Sequence, residues 1–82
     1  MLIVAGIDVS ARELSVAVSK PGQKTQLSTF LQTPTGHKAL AKYLKKHKVK
    51  RVVLEATGIY YLDAAVALHA AGLAVSVINP RS

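Results

Sequence analysis

Two acidic residues, Asp8 and Glu55, each stand at the end of a short apolar run. A carboxylate beside an apolar strand is costly unless a cation or hydrogen-bond donors accompany it, and two like charges together need a cation more. Mg²⁺ favours carboxylate oxygens and completes its octahedron with water and phosphate. Two such ions, about 3.5–4 Å apart, can activate an attacking oxygen and stabilise a leaving one. We therefore predict that Asp8 and Glu55 are catalytic, Mg²⁺-binding residues.

Each acid also has a purely local interpretation. Asp8 could accept hydrogen bonds from the backbone amides of Ser10 or Ala11 and so cap the turn that follows its strand. Glu55 could stabilise the first turn of a helix that begins near Thr57, through the helix dipole. For a single acid, such a local interpretation would be preferred to a metal site. Matched positions at the ends of two neighbouring strands favour the metal site.

The positioning elements follow from the apolar patterns and the turn residues. Strands are predicted at residues 2–9, 13–19, 25–32, 52–55 and 74–78, the first covered on both faces and the third at an edge. One helix starts at Pro34 with Thr33 as its N-cap, and another runs from about residue 59 to 71, with Thr57 and Gly58 as its cap. Right-handed crossovers place the last two strands parallel to the first. The order β-β-β-α-β-α-β predicts an α/β, RNase H-like mixed sheet that lacks the later helices.

The chain carries eleven Lys and Arg residues against four Asp and Glu residues, a formal net charge of +7. Such an excess suits a polyanionic partner, although a run of lysines on a helix often only solvates its surface. The densest basic stretch is predicted to contact a nucleic-acid backbone; it comprises Lys42, Lys45, Lys46, Lys48, Lys50 and Arg51. The amides of Thr57 and Gly58 could receive a phosphate, or Thr57 could simply cap its helix. No cysteine is present, and no export signal or membrane span is predicted.

Two segments that contain the acids resemble a known protein family. Residues 6–10 read GIDVS and residues 14–18 read LSVAV, which is similar to the opening of the insertion-sequence 110 transposases. These are RuvC-like recombinases with a DEDD tetrad of acids. Residues 54–60, LEATGIY, resemble their second motif. Residues 72–80, GLAVSVINP, continue the likeness with the same spacing.

The resemblance implies Mg²⁺-dependent DNA cleavage and strand transfer during movement of a mobile element. It also implies a structured guide RNA, action as a multimer, and a location in the prokaryotic cytoplasm. Asp8 matches the first catalytic acid of the family, and Glu55 the second. The other two acids, and a downstream domain with a proposed serine nucleophile, have no counterpart in this sequence. Residues 1–82 are therefore expected to form a partial N-terminal domain, related by resemblance to an enzyme but inactive alone.

Three alternatives stay open. An ATP-binding domain of the actin and sugar-kinase type also carries an Asp after its first strand, but needs a glycine-rich turn where this chain has Val9-Ser10-Ala11-Arg12. A RuvC-type junction resolvase shares the site but lacks the second motif. A non-catalytic remnant would keep nucleic-acid binding or self-association alone. An incomplete helical layer should leave apolar sheet surface bare, and this predicts a homo-oligomer.

Overall fold

The computed structural model describes residues 3–56 and 60–78. The elements follow one another in the predicted order β-β-β-α-β-α-β. They are β1 (Val4–Val9), β2 (Glu13–Ser19), β3 (Gln26–Leu31), α1 (Pro34–Lys46), β4 (Arg51–Ala56), α2 (Leu62–Ala70) and β5 (Ala74–Ile78). In the described part of the chain, no helix is long and apolar enough to cross a membrane.

The five strands form one mixed sheet in the order β3-β2-β1-β4-β5. The first three strands make two antiparallel hairpins, so β3 again runs in the direction of β1. Strand β4 pairs with β1 in parallel, and β5 pairs with β4 in parallel. Strand β1 is therefore central and β3 lies at an edge, as the sequence predicts. The carboxyl ends of β1, β3, β4 and β5 all meet at the same edge of the sheet.

Both helices pack on one face of this sheet. The crossovers β3–α1–β4 and β4–α2–β5 advance across the sheet in the same direction, so their common right-handedness places both helices on the same side. The expectation that β1 is covered on both faces is therefore wrong. In β1, Ala5, Ile7 and Val9 are buried against the helices, whereas Gly6 and Asp8 are exposed. The described residues leave the second face, here called the open face, without a helical cover.

The core lies between the sheet and the two helices. Its fully buried side chains include Leu14, Val16 and Val18 of β2, which the alternating pattern of that strand predicts. The helices contribute Leu40, Leu44, Ala64 and Leu68 to the same cluster. Burying a large aliphatic side chain stabilises the fold by about 1.5–3 kcal/mol, so this layer is the main source of stability.

The start of α1 agrees with the prediction, but the start of α2 does not. The Oγ1 of Thr33 accepts a hydrogen bond from the amide of Gly36 at 2.9 Å, and Pro34 opens the helix. Helix α2 begins at Leu62 with Tyr61 at its N-cap position, so Thr57 is not its N-cap. Residues 57–59 lie outside the described part of the chain. Expecting the helix to follow the Thr-Gly signal directly was therefore wrong.

The C-terminal ends of both helices place a residue in the left-handed region. Gly72 has a φ of +93°, as its position after α2 predicts, and Leu73 donates from its amide to the Leu68 carbonyl at 3.2 Å. Lys48 takes the equivalent place after α1 with a φ of 60°. A lysine there carries a backbone cost that glycine would not.

Candidate metal centre and nucleic-acid surface

The two acids that the sequence singles out are direct neighbours across the sheet. Asp8 of β1 is the register partner of Glu55 of β4 in the parallel ladder. Both side chains are exposed, and both project from the open face because their strand neighbours Ile7, Val9, Leu54 and Ala56 point into the core. Neighbouring strands lie about 4.8 Å apart, so the two carboxylates can reach one cation.

Each acid occupies the penultimate position of its strand rather than following the strand's end. Strand β4 continues through Ala56, one residue further than predicted, and β1 continues through Val9. The carboxylates therefore rise from the sheet surface just inside its carboxyl edge. The predicted convergence of the two acids is present, but on the open face and not beyond the strand tips.

The surroundings of this acidic pair form a shallow groove of about 650 Å³ across the open face. Polar side chains continue the row of Asp8 towards β3, because Ser15 is the partner of Asp8 and Thr29 is the partner of Ser15. On the other side, Ile78 of β5 is the partner of Glu55. The next row towards the amino ends is small or apolar; it comprises Leu27, Ala17, Gly6, Val53 and Ser76.

The hydrogen bonds that close the turn after β1 do not involve the Asp8 carboxylate. The Ser10 amide donates to the Glu13 carbonyl at 2.9 Å, and the Ser10 hydroxyl donates to the same oxygen at 3.0 Å. The Glu13 amide in turn donates to the Ser10 hydroxyl at 3.1 Å. The turn is thus closed by Ser10 and not by Asp8, which disfavours the capping interpretation of that acid. For Glu55, the later start of α2 removes the adjacent helix turn that the dipole interpretation needs.

The donor set suits a hard divalent cation. Two carboxylates supply oxygen ligands on an exposed face, and the groove leaves room for waters and a phosphate group. In the part of the chain that the structure describes, no three His, Cys, Asp or Glu side chains gather into a larger cluster. The pair therefore offers a partial coordination shell of the kind that Mg²⁺ fills with water and substrate oxygens.

The basic residues predicted to contact nucleic acid lie towards the other end of the sheet. Lys45 and Lys46 end α1, and Arg51 begins β4 at the amino edge of the sheet. Glu55 lies four residue steps along β4 from Arg51, a distance of about 13 Å at the usual rise of a strand. Lys42 lies one turn earlier on α1, and Thr57 and Gly58 lie outside the described residues. The structure thus separates the basic residues from the acidic pair.

Most of the positive charge of the described residues lies on the amino side of this division, although Arg12 and Lys38 do not. The amino edge of the sheet carries seven exposed or half-exposed cations and none of the four acids of the sequence; we call this set the basic edge. It comprises Lys20, Lys24, Lys45, Lys46, Lys48, Lys50 and Arg51. The acids Asp8, Glu13, Glu55 and Asp63 all lie towards the carboxyl edge. Within the basic edge, the Lys20 ammonium donates to Nδ1 of His47 at 3.1 Å, which joins the β2–β3 turn to the end of α1.

The contacts of two polar residues at the carboxyl edge of the sheet were missed by sequence reasoning. The side-chain amide of Gln32 contacts the carbonyl of Ser10 and the carbonyl of Tyr60, and Nε2 of His37 lies 2.7 Å from its Oε1. His37 is only 7% exposed. The only sequence signal was the place of Gln32 directly before the Thr33 cap, and that signal does not predict long-range contacts.

A five-stranded sheet of this order, with two helices on one face and an acidic pair on the other, defines an RNase H-like fold of the RuvC type. RuvC from Thermus thermophilus, in complex with a Holliday junction substrate, superposes with a TM-score of 0.68 at 20% identity, over 98% of this chain and 66% of that chain. The resolvase of Fowlpox virus, solved with Holliday junction DNA, gives a TM-score of 0.62 at 15% identity, over 99% and 62%. The chain thus spans slightly less than two thirds of these neighbours' lengths.

A more distant neighbour is the Ppx/GppA phosphatase of Aquifex aeolicus. It has a TM-score of 0.54 at 15% identity, over 98% of this chain and 36% of that chain. At such identities, all three likenesses show the fold alone. Comparison with curated proteins yields no match.

The family itself is shown by sequence. A family model for the DEDD transposases of insertion-sequence 110 type, described as a transposase, matches residues 5–82. The chain belongs to this family. It is therefore a nuclease- or recombinase-type domain from a family of nucleic-acid-cleaving enzymes, as the resemblance of the two motifs predicts.

Proposed function

We propose that residues 1–82 are the N-terminal part of the catalytic domain of a DNA transposase. In this proposal, Asp8 and Glu55 hold Mg²⁺ for phosphodiester cleavage and strand transfer during movement of a mobile element. The observation that carries it is the register pairing of the two acids on the open face. Family membership and the RuvC-type fold support the same assignment.

The residues of this chain would bind and position, and the metal would supply the chemistry. The β1–β4 ladder sets the backbone register of the two acids, and the groove on the open face admits a phosphodiester beside them. When bound, Mg²⁺ lowers the pKa of a coordinated water and neutralises developing charge on phosphate oxygens. The small row at Gly6 and Ala17 keeps the floor of the groove low next to the acids.

The 82-residue chain by itself is expected to be inactive, because it contains two of the four acids of the tetrad. The test is an Mg²⁺-dependent cleavage assay on supercoiled and branched DNA, with the wild type and an Asp8→Ala variant. We expect no cutting by either protein. Robust cutting by the wild type that Asp8→Ala abolishes would show that two acids suffice, and would contradict the need for the remaining tetrad.

We also propose that the basic edge binds the phosphate backbone of nucleic acid. The segregation of seven cations from every acid supports this, since such a surface concentrates the +7 charge of the chain in one place. Its distance from the acidic pair indicates a strand or duplex that lies apart from the scissile phosphate. Thr57 and Gly58, which follow Glu55 closely in the sequence, stay proposed phosphate contacts.

Salt dependence tests the basic edge. A Lys45→Gln/Lys46→Gln variant should bind duplex DNA and RNA more weakly regardless of sequence, with the slope of log K against log salt reduced by about two. Lys38→Gln is the control, because Lys38 is exposed near the start of the same helix, away from the basic edge. Equal slopes for the wild type and the double variant would contradict the proposal.

The partners and the location proposed from the family are DNA, a structured guide RNA, further copies of the chain, and the prokaryotic cytoplasm. Self-association is supported by the apolar side chains on the open face, where Leu27 is 78% exposed and Ile78 is 49% exposed. Light scattering at high concentration should show a dimer or larger species. A Leu27→Lys variant should shift the assembly towards monomer. A wild type that stays monomeric would refute the proposed self-association.

A non-catalytic nucleic-acid-binding or self-associating remnant is the second candidate function. The basic edge and the apolar open face fit a non-catalytic remnant equally well. That function does not explain why Asp8 and Glu55 are paired. Binding of Mn²⁺ that depends on both acids separates the two candidates. An ATP-binding role of the actin and sugar-kinase type is disfavoured, because two amides of the first turn, at Ser10 and Glu13, are occupied within the turn itself.

A further inference from the structure

We infer that Gln32, oriented by His37, is a positioning residue that fixes Ser10 and Tyr60, which follow the two acid-bearing strands in the sequence, relative to each other. Gln32 lies between β3 and α1, and its Nε2 donates to the carbonyl oxygen of Ser10 at 3.1 Å and to that of Tyr60 at 2.7 Å. Ser10 follows Asp8 by two residues, and Tyr60 lies between Glu55 and α2. One planar amide group thus connects the chain leaving β1 with the chain leaving β4.

The amide group is held in this orientation by a buried donor. Both hydrogens on Nε2 of Gln32 are used by the two carbonyls, so Oε1 is left as an acceptor. His37 donates to this oxygen. Nε2 of His37 lies 2.7 Å from Oε1 of Gln32 and must therefore carry the proton. The imidazole is 7% exposed and sits on the first turn of α1. The two bonds to carbonyls lie at the exposed surface, and this is the one orientation of the amide that satisfies all three partners at once.

The first turn of α1 is itself tightly seated. A Cβ on Gly36 would overlap the carbonyl oxygen of Leu31, so glycine lets the helix start lie against the end of β3. The main-chain amide of Gln32 adds a bond to the Arg12 carbonyl at 2.9 Å, which ties the same residue to the β1–β2 turn. Gln32 therefore ties the start of α1 to Ser10 and to Tyr60.

Only glutamine meets these requirements at position 32. Glutamate has the same length but no donor for the two carbonyls. Methionine has a similar volume but neither donor nor strong acceptor. The expected consequence of losing the amide is a looser spacing of the Asp8 and Glu55 carboxylates and weaker binding of a shared cation. This consequence rests on the proposed metal site, whereas the positioning itself does not.

The experiment uses the 82-residue chain and two readouts. Mn²⁺ affinity is measured by electron paramagnetic resonance, and the side-chain carboxyl ¹³C shifts of Asp8 and Glu55 are measured by NMR without metal. Gln32→Met should weaken Mn²⁺ binding several-fold and should shift both carboxyl signals. The loss should be smaller than the roughly tenfold or greater loss that follows removal of a group bonded to a metal ligand, because Gln32 contacts neither acid. Gln26→Met is the matched control on β3, because Gln26 is exposed and outside this network. It should change neither readout.

The outcomes separate the inference from the proposed function. Unchanged Mn²⁺ affinity and unchanged carboxyl shifts in a folded Gln32→Met variant would overturn the inference and leave the metal site intact. Shifted carboxyl signals in Gln32→Met, with a wild type that binds no Mn²⁺, would support the positioning role and remove the proposed metal site.

A second pair of variants covers the case in which Gln32→Met does not fold. His37→Gln keeps a nitrogen donor at a similar reach, whereas His37→Leu removes it. We expect His37→Gln to retain wild-type carboxyl shifts and Mn²⁺ affinity, and His37→Leu to lose several-fold in affinity. Equal behaviour of the two variants, in folded protein, would overturn the role of the donor to Gln32.

Discussion

Replacing Asp8 with Asn should stabilise the metal-free chain. Asp8 and Glu55 are register partners on adjacent parallel strands, so their charges lie about 5 Å apart. On a solvated face, two like unit charges at that separation repel by about 0.8 kcal/mol. Asn keeps the shape of the side chain and removes this repulsion. For a domain of this size, the midpoint of thermal unfolding should rise by about 3–6 °C at low salt.

Thermal unfolding followed by circular dichroism, in EDTA and in Mn²⁺, measures the effect. The wild type should gain stability from Mn²⁺, by about 1.4 kcal/mol at ten times the dissociation constant, whereas Asp8→Asn should gain little. Asp63→Asn is the control. It also removes one acid, but Asp63 lies in the first turn of α2, where a negative charge is favourable, so this change should lower the midpoint.

The sign of the Asp8→Asn effect is the decisive result. The chain carries a net charge of +7, so removing an acid at an arbitrary position should destabilise it through general repulsion. A midpoint for metal-free Asp8→Asn that falls like that of Asp63→Asn would show that Asp8 and Glu55 do not repel each other. Salt near 1 M should shrink the gain, since the screening length falls from about 10 Å at 0.1 M to about 3 Å at 1 M, below the separation of the two charges.

Three further predictions concern the elements that position the site, each checked by chemical denaturation. Gly36→Ala should destabilise the fold by about 1–3 kcal/mol, because the added Cβ meets the Leu31 carbonyl, whereas Gly6→Ala, with open space around its Cβ, should cost nothing or add stability. Equal costs for both would contradict the close approach at Gly36. Lys48→Gly should stabilise by about 1 kcal/mol relative to Lys48→Ala, since both remove the charge but only glycine relieves the positive φ; a difference near zero would argue against that backbone conformation. Thr33→Ala should cost about 1 kcal/mol through loss of the bond to the Gly36 amide, and no loss would mean that the cap does not form.

Much of this fold could be predicted from local patterns. The alternation of Leu14, Val16 and Val18 identifies β2 and its buried face, and Thr33-Pro34 identifies the start of α1. Topology then follows from the direction of the crossovers, and with it the pairing of the strands that carry Asp8 and Glu55. The acidic pair was predictable because it depends on strand order and two motifs.

Other features depend on contacts that a local pattern does not contain. A short apolar run such as β1 looks the same whether one face or both are covered, and only the common side of α1 and α2 decides this. The Thr57-Gly58 signal placed the start of α2 too early, because a cap signal in sequence does not exclude further turn residues such as Tyr60. The contacts of Gln32 with Ser10 and Tyr60 join residues 22 and 28 positions apart, so no local rule predicts them.

The most direct test of the central claim is an NMR titration of the chain with Mn²⁺. Broadening of nearby signals falls steeply with distance from the paramagnetic ion, so it locates the bound cation. We expect the side-chain carboxyl signals of Asp8 and Glu55 to broaden first and together, and the effect to vanish in a Glu55→Gln variant. Earlier broadening at Glu13 or Asp63, or an unchanged response in Glu55→Gln, would show that the two acids do not share a divalent cation.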